Sequence, residues 1–237
     1  MMIYVSELNF IQQAPDKTTA NVLVVPVITG DNGVHILADS LPKKVAAGLD
    51  EVLPKIGVSG KTGALTRIPA PSGIAADTVA LVGTGKNQNK LESIDLREAF
   101  GAAVRGLSGV SHVALAVPFD DPESIYQSGL GALLGAYTFE DYKVQTAPPE
   151  TITVTAPSKL KKAELEALAA EASIVAEAVN KVRDHVNIPA ADLTPVTMAE
   201  VAEAYAKTDR NLSVRVWDEN QLEQDGFGGI LGVGQGS

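Results

Sequence analysis

The 237-residue sequence predicts an α/β protein: a mostly parallel sheet with helices on both faces, then a long linker helix, then the start of a second α/β domain. Three observations carry this. Short apolar runs alternate with helical patterns along residues 1–156, which is how strand–helix units around a parallel sheet read. One run, Val22-Leu23-Val24-Val25-Pro26-Val27-Ile28, is apolar at successive positions, as a strand covered on both faces must be. Beyond residue 158, one amphipathic stripe continues for many helical turns.

The elements follow in order. After the strand Val22–Ile28, Ser40 can cap a helix running from Leu41 to about Ile56. Val79–Val82 is a second short apolar strand. Asp95 with Glu98 reads as a capping box for a helix ending near Leu107. Val113–Val117 is a third strand. Asp121 followed by Pro122 starts another helix, to about Tyr137, because Pro suits the first helical turn. Pro148, Pro149 and Pro157 bracket an alternating strand, Thr151–Thr155.

The longest helix comes next. Leu165, Leu168, Ala172, Val175, Val179, Val182 and Val186 are spaced by three and four, one stripe on one face. From Ser158 to about Asn187 it would span roughly 45 Å. Pro189 disfavours helical geometry at Ile188 and ends it. Such a helix either bridges two domains or packs along its own. Thr194 then caps, and Pro195 opens, a helix to about Lys207. Leu212, Val214 and Val216 alternate with polar residues as a strand does. Asp218 with Gln221 is a second capping box, Gly226 is a helix stop, and the apolar glycine-rich run after it reads as the start of a further buried strand. The expected division is 1–156, an N-terminal α/β domain; 157–187, the linker helix; and 188–237, a piece too small to bury a core by itself.

Composition narrows the function classes. The chain is 45% hydrophobic and 20% charged, which reads as globular rather than disordered. Its net charge of −10 argues against a broad basic face for nucleic acid. The absence of cysteine removes disulfides, thiolate zinc sites and a thiol nucleophile together. The start, Met1-Met2-Ile3-Tyr4-Val5-Ser6-Glu7, has no basic stretch before an apolar core, and no apolar run approaches the ~20 residues of a membrane span. A soluble cytoplasmic protein is the expectation.

Candidate chemical groups are few. His35, His112 and His185 lie too far apart for a local metal motif, and a structural role is expected for each. Ser72 and Ser237 lack the Gly-x-Ser-x-Gly context of a nucleophile. Gly83-Thr84-Gly85-Lys86 follows a strand and precedes a helix, where a phosphate loop would sit. It fails the Walker pattern, because Ala80 stands where the first glycine belongs and Asn87 follows the lysine. A tight strand-to-helix turn is the plain reading. Gly129, Gly131 and Gly135 fall within a helix and suit close helix packing. The acid pairs Asp120-Asp121, Glu140-Asp141 and Asp218-Glu219 read as caps or solvated surface, since hard cations need oxygens converging from several elements.

Two segments carry a resemblance. Asp184-His185-Val186-Asn187-Ile188-Pro189, continuing to Leu193-Thr194-Pro195, and the tail Leu231-Gly232-Val233-Gly234-Gln235-Gly236-Ser237 resemble the leucyl aminopeptidase family of two-metal exopeptidases. Ala80–Lys86 and Arg97–Leu107 are similar to weaker blocks of that family's N-terminal domain. The resemblance implies a macrodomain-like N-terminal domain and a linking role for the long helix. It further implies hydrolysis of peptides with hydrophobic N-termini, two divalent cations (Mn, Zn or Mg) activating a water, and a hexameric homo-oligomer. The family's metal-binding lysine and carboxylates follow the Gly-Ser at 236–237. The expectation is therefore a chain with no catalytic, cofactor-binding or metal residues of its own, inactive alone and serving as scaffold. The rival readings are a macrodomain-like module binding an ADP-ribose-type ligand, and an oligomer-assembly domain.

Overall fold

A computed structural model describes residues 6–37, 40–86, 91–142, 144–155 and 159–235. The chain divides into two compact units, Met1–Asn180 and Lys181–Ser237.

The first unit is a seven-stranded sheet: β1 (Glu7–Ile11), β2 (Val22–Gly30), β3 (Gly33–Ile36), β4 (Leu65–Pro69), β5 (Thr78–Lys86), β6 (His112–Ala116) and β7 (Thr151–Thr155). The order is β1-β7-β6-β2-β5-β4, with β3 paired to the end of β2. The β1–β7, β7–β6, β6–β2 and β2–β5 pairs are parallel, while β4 and β3 are antiparallel. The helices are α1 (Lys43–Asp50), α2 (Leu53–Ile56), α3 (Ser93–Gly106), α4 (Pro122–Gly135) and α5 (Lys162–Asn187), the last crossing the division between units.

Strand geometry explains the unbroken apolar runs. Successive side chains point to opposite faces. Val22 and Val24 of β2 therefore join Val113, Leu115, Ile152 and Val154 under Phe100 of α3, Ile125 of α4 and Leu165 of α5. Leu23, Val25 and Val27 join Val79 and Leu81 under Leu49 of α1 and Leu53 of α2. Both faces are covered, so neither set of positions can be polar.

Several boundaries differ from the sequence reading. The helix expected over 41–56 is two short ones. Pro42 precedes the first without a side-chain cap, and the Ser40 hydroxyl is enclosed without a hydrogen-bond partner. Pro54 lies in the first turn of α2, where its missing N–H costs nothing, so the chain restarts there. The box of α3 sits three residues earlier than expected: Glu92 caps and Asp95 answers it, its carboxylate accepting from the Glu92 N–H at 2.9 Å. Asp121 caps α4 as expected, accepting from the Ser124 N–H at 2.9 Å. Ser158, the expected start of the long helix, lies outside the described residues; residues 159–161 are not helical and α5 is seen from Lys162.

The second unit holds α6 (Pro195–Ala206), α7 (Glu219–Gln224) and α8 (Gly228–Gly234). Thr194 caps α6 and exchanges bonds with Thr197, and Pro195 opens the helix as expected. The expected strand at Leu212, Val214 and Val216 does not form, and the three side chains stand exposed. The expected strand after Gly226 is helix α8. Among the described residues of this unit no strand is available to pair with either segment, and a helix satisfies its own backbone groups locally. Gly226 itself takes φ +82°, the left-handed stop that glycine favours.

Candidate functional site

The strand end at residues 83–86 was the one place where the sequence suggested a phosphate cradle. The structure assigns these residues to β5. Val27 pairs with Gly83, and beyond a bulge Thr29 pairs with Lys86, so the strand continues where a turn was expected. The loop Gly60–Ala64 lies against it. The Gly83 N–H donates to the Ala64 carbonyl at 2.9 Å and the Gly85 N–H to the Gly60 carbonyl at 2.8 Å. A phosphate loop needs such donors free; here both are spent. A methyl group on Gly83 would lie 2.1 Å from the Lys61 carbonyl oxygen. The glycine is required by close backbone approach.

The histidines are not brought together. His112 begins β6, its Nε2 lies 2.8 Å from the Thr153 hydroxyl, and burial lowers its pKa below the ordinary 6.5. His35 is exposed on the short strand β3, and His185 lies in the last turn of α5. Among the described residues no three His, Asp or Glu side chains converge as a metal site would require. Two of the acid pairs behave as end groups: Asp121 caps α4, and Asp218 caps α7 by accepting from the Gln221 N–H at 2.8 Å. Glu140-Asp141 caps no described helix, and one Glu140 carboxylate oxygen is enclosed without a hydrogen-bond partner, so it is not the solvated group the sequence suggests. Ser72 is exposed in a turn, while Gly236 and Ser237 lie outside the described residues.

Gly131 and Gly135 let α4 approach α3. Methyl groups there would come within 2.2 Å of the Arg97 carbonyl oxygen and 2.1 Å of that of Gly101. Gly129 makes room for the Phe10 ring. Beside this contact, Tyr126 of α4 has its hydroxyl pKa raised by burial first and by Glu171 and Glu123 next, with Arg97 opposing. An open cavity lies near the start of the parallel strands, where the Asn21 amide donates to Asp77 at 3.2 Å and Arg67 donates to the Thr78 hydroxyl at 3.0 Å.

In the second unit the segment 184–197 is a fastened turn. The Ile188 N–H donates to the Asp184 carbonyl, Asp192 and Leu193 both donate to the Pro189 carbonyl, and the Thr197 hydroxyl donates to the Asp192 carbonyl. Trp217 donates its Nε1–H to Asp225 at 3.0 Å, and the Arg215 guanidinium lies 4.1 Å from the indole centre. Val196, Met198, Phe227, Ile230 and Val233 are all exposed.

One hairpin carried a signal that the sequence reading did not use. Gly30-Asp31-Asn32-Gly33 is a two-residue turn between β2 and β3, with Gly33 at φ +115°.

The family model for the N-terminal domain of the cytosol aminopeptidase family matches residues 24–146, and that for the same family's catalytic domain matches residues 180–237. A probable cytosol aminopeptidase of Micrococcus luteus is 38% identical across 100% of this chain and 48% of its own length. This chain spans about half the length of the curated relatives it matches. A mutant tomato leucine aminopeptidase matches in fold with a TM-score of 0.69 at 19% identity, over 92% of this chain and 46% of that one. The bottromycin maturation enzyme BotP in complex with Mn matches with a TM-score of 0.57 at 24% identity, over 80% of this chain and 36% of that one.

Proposed function

The chain belongs to the cytosol aminopeptidase family, and from that premise we propose that it forms the N-terminal part of a two-metal leucyl aminopeptidase. Residues 1–156 are its N-terminal domain, 157–187 its linker helix, and 188–237 the first elements of its catalytic domain. The whole enzyme releases hydrophobic N-terminal residues from peptides, works in the cytoplasm and assembles as a hexamer. The observation that carries the reading is the order of the two family matches, N-terminal domain and then catalytic domain, along one chain.

The two cations (Mn, Zn or Mg) would supply an activated water and polarise the scissile carbonyl. The described residues of this chain do not fit such a pair, for no three potential ligands converge, and Asp121 and Asp218 are engaged as helix caps. The proposal therefore places metal ligands and reacting groups outside these 237 residues, and gives this chain a scaffold role. The exposed apolar side chains of α6 and α8 support this, as a larger catalytic domain would cover them.

The test compares the 237-residue chain with a chain of the relatives' full length in hydrolysis of leucine p-nitroanilide. Mn, the ion in the BotP complex, is the first to add. The expected result is turnover by the long chain, abolished by chelation, and none by the 237-residue chain. Metal-dependent turnover by the 237-residue chain would overturn the scaffold assignment. Inactivity of the long chain with each of the three ions would overturn the aminopeptidase reading.

A further inference from the structure

Helix α3 carries Arg97, Gly101 and Arg105 at steps of four, so all three lie along one row of its surface. The two arginine backbones are about 12 Å apart at 1.5 Å per residue. Between them Gly101 has no side chain, and Gly131 of α4 approaches across the gap. The result is an open cavity of about 370 Å³, within the ~300–1,000 Å³ range of small-molecule sites. Its floor is glycine backbone. Its rim holds Arg97, Arg105 and Glu98; Leu134 of α4 and Ala102 of α3 also line it, Ala102 next to Gly63 of the Thr62 loop.

The charges on this rim form no ion pair among the described residues, and Arg97 acts on the Tyr126 hydroxyl only through its field. Among the described residues neither guanidinium nor the Glu98 carboxylate takes part in a hydrogen bond or ion pair, although Arg97 and Glu98 are adjacent. Arg97 is half-buried, while Arg105 and Glu98 are exposed. Two fork-shaped cations suit a carboxylate bonded bidentately. A ligand of two or more negative charges would gain the arginines but meet Glu98 as a like charge. A simple cation would meet two arginines. A zwitterion satisfies all three groups.

The geometry points to a binding site for a free aliphatic α-amino acid. Its carboxylate lies between Arg97 and Arg105, its ammonium group faces Glu98, and its side chain rests on Leu134 and Ala102. The cavity lies wholly within the first unit, so this inference stands or falls separately from the aminopeptidase reading.

The test follows amide shifts of the 237-residue chain during titration with L-valine, valinamide and 3-methylbutanoate. The amide lacks the carboxylate and the acid lacks the ammonium group. Valine is expected to give saturable shifts along α3 and α4, and the other two to bind at least tenfold more weakly. R105Q and E98Q each weaken valine at least fivefold, E98Q does not weaken 3-methylbutanoate, and R67Q, in the other cavity, changes nothing. Both rim substitutions are at exposed positions, and far-UV circular dichroism checks that the fold is kept. Absence of saturable shifts with valine up to its solubility limit overturns the inference. So does equal binding of valinamide, or valine binding unaffected by R105Q and E98Q.

Discussion

Replacing Gly131 by alanine sets a local rule against a tertiary one. Gly131 lies within α4, where intrinsic preference favours alanine over glycine by about 1 kcal/mol. The structure predicts the opposite sign. The new methyl group would stand 2.2 Å from the Arg97 carbonyl oxygen, and 2.7 and 2.8 Å from the Arg97 Cα and carbonyl carbon. All three atoms are backbone, so no side chain can swing away. The two helices must separate by more than 1 Å to reach the ordinary contact distance of 3.4 Å. That shift would disturb Phe100, Ile125 and Leu130, all buried in the core beneath the helix pair. Overpacking of this kind costs about 1–3 kcal/mol and more where backbone must move. With only backbone atoms in the way the upper end, about 3 kcal/mol, applies, so against the propensity gain the net loss should be about 2 kcal/mol, or roughly 4–8 °C in Tm for a unit of this size. Thermal unfolding followed by circular dichroism measures it. Gly232→Ala in α8 is the control, since nothing lies within 4 Å of a methyl group there. A Gly131→Ala chain with a Tm equal to or above the parent would refute the close-packing argument.

Two further outcomes follow from named groups. The pKa of His112 is lowered by burial, so the folded state binds less proton than the unfolded chain just below pH 6.5. Its contribution is therefore complete above that pH and is lost as pH falls through the lowered value. His112→Gln should flatten the fall in urea midpoint between about pH 7.5 and 5; identical pH profiles for parent and variant would count against a depressed pKa. Asp121→Ala removes the side-chain cap of α4 and should cost about 1 kcal/mol in urea unfolding, and no loss would show that the Ser124 N–H finds another acceptor.

Much of this fold is readable because its determinants are local or periodic. A strand buried on both faces must be apolar at successive positions, so β2 and β6 are visible in the chain itself. Thr194-Pro195 and Asp121-Pro122 mark helix starts through bonds that close within three residues. The family resemblance is likewise carried by contiguous residues, the Asn187–Pro195 and Leu231–Ser237 segments. Other features depend on partners distant in sequence. Gly83 and Gly85 resemble a loop until the Gly60–Ala64 segment is seen against them, because a pairing partner decides whether such residues turn or extend. Leu212, Val214 and Val216 alternate like a strand, yet alternation cannot supply a neighbouring strand. The cavity between Arg97 and Arg105 is invisible in the sequence for the same reason. The spacing by four can be read from the chain, but only the approach of Gly131 across Gly101 makes a floor between the two arginines. Local hydrogen bonding and periodic burial are written in the order of residues, whereas a site requires side chains from separate elements to be brought together by packing.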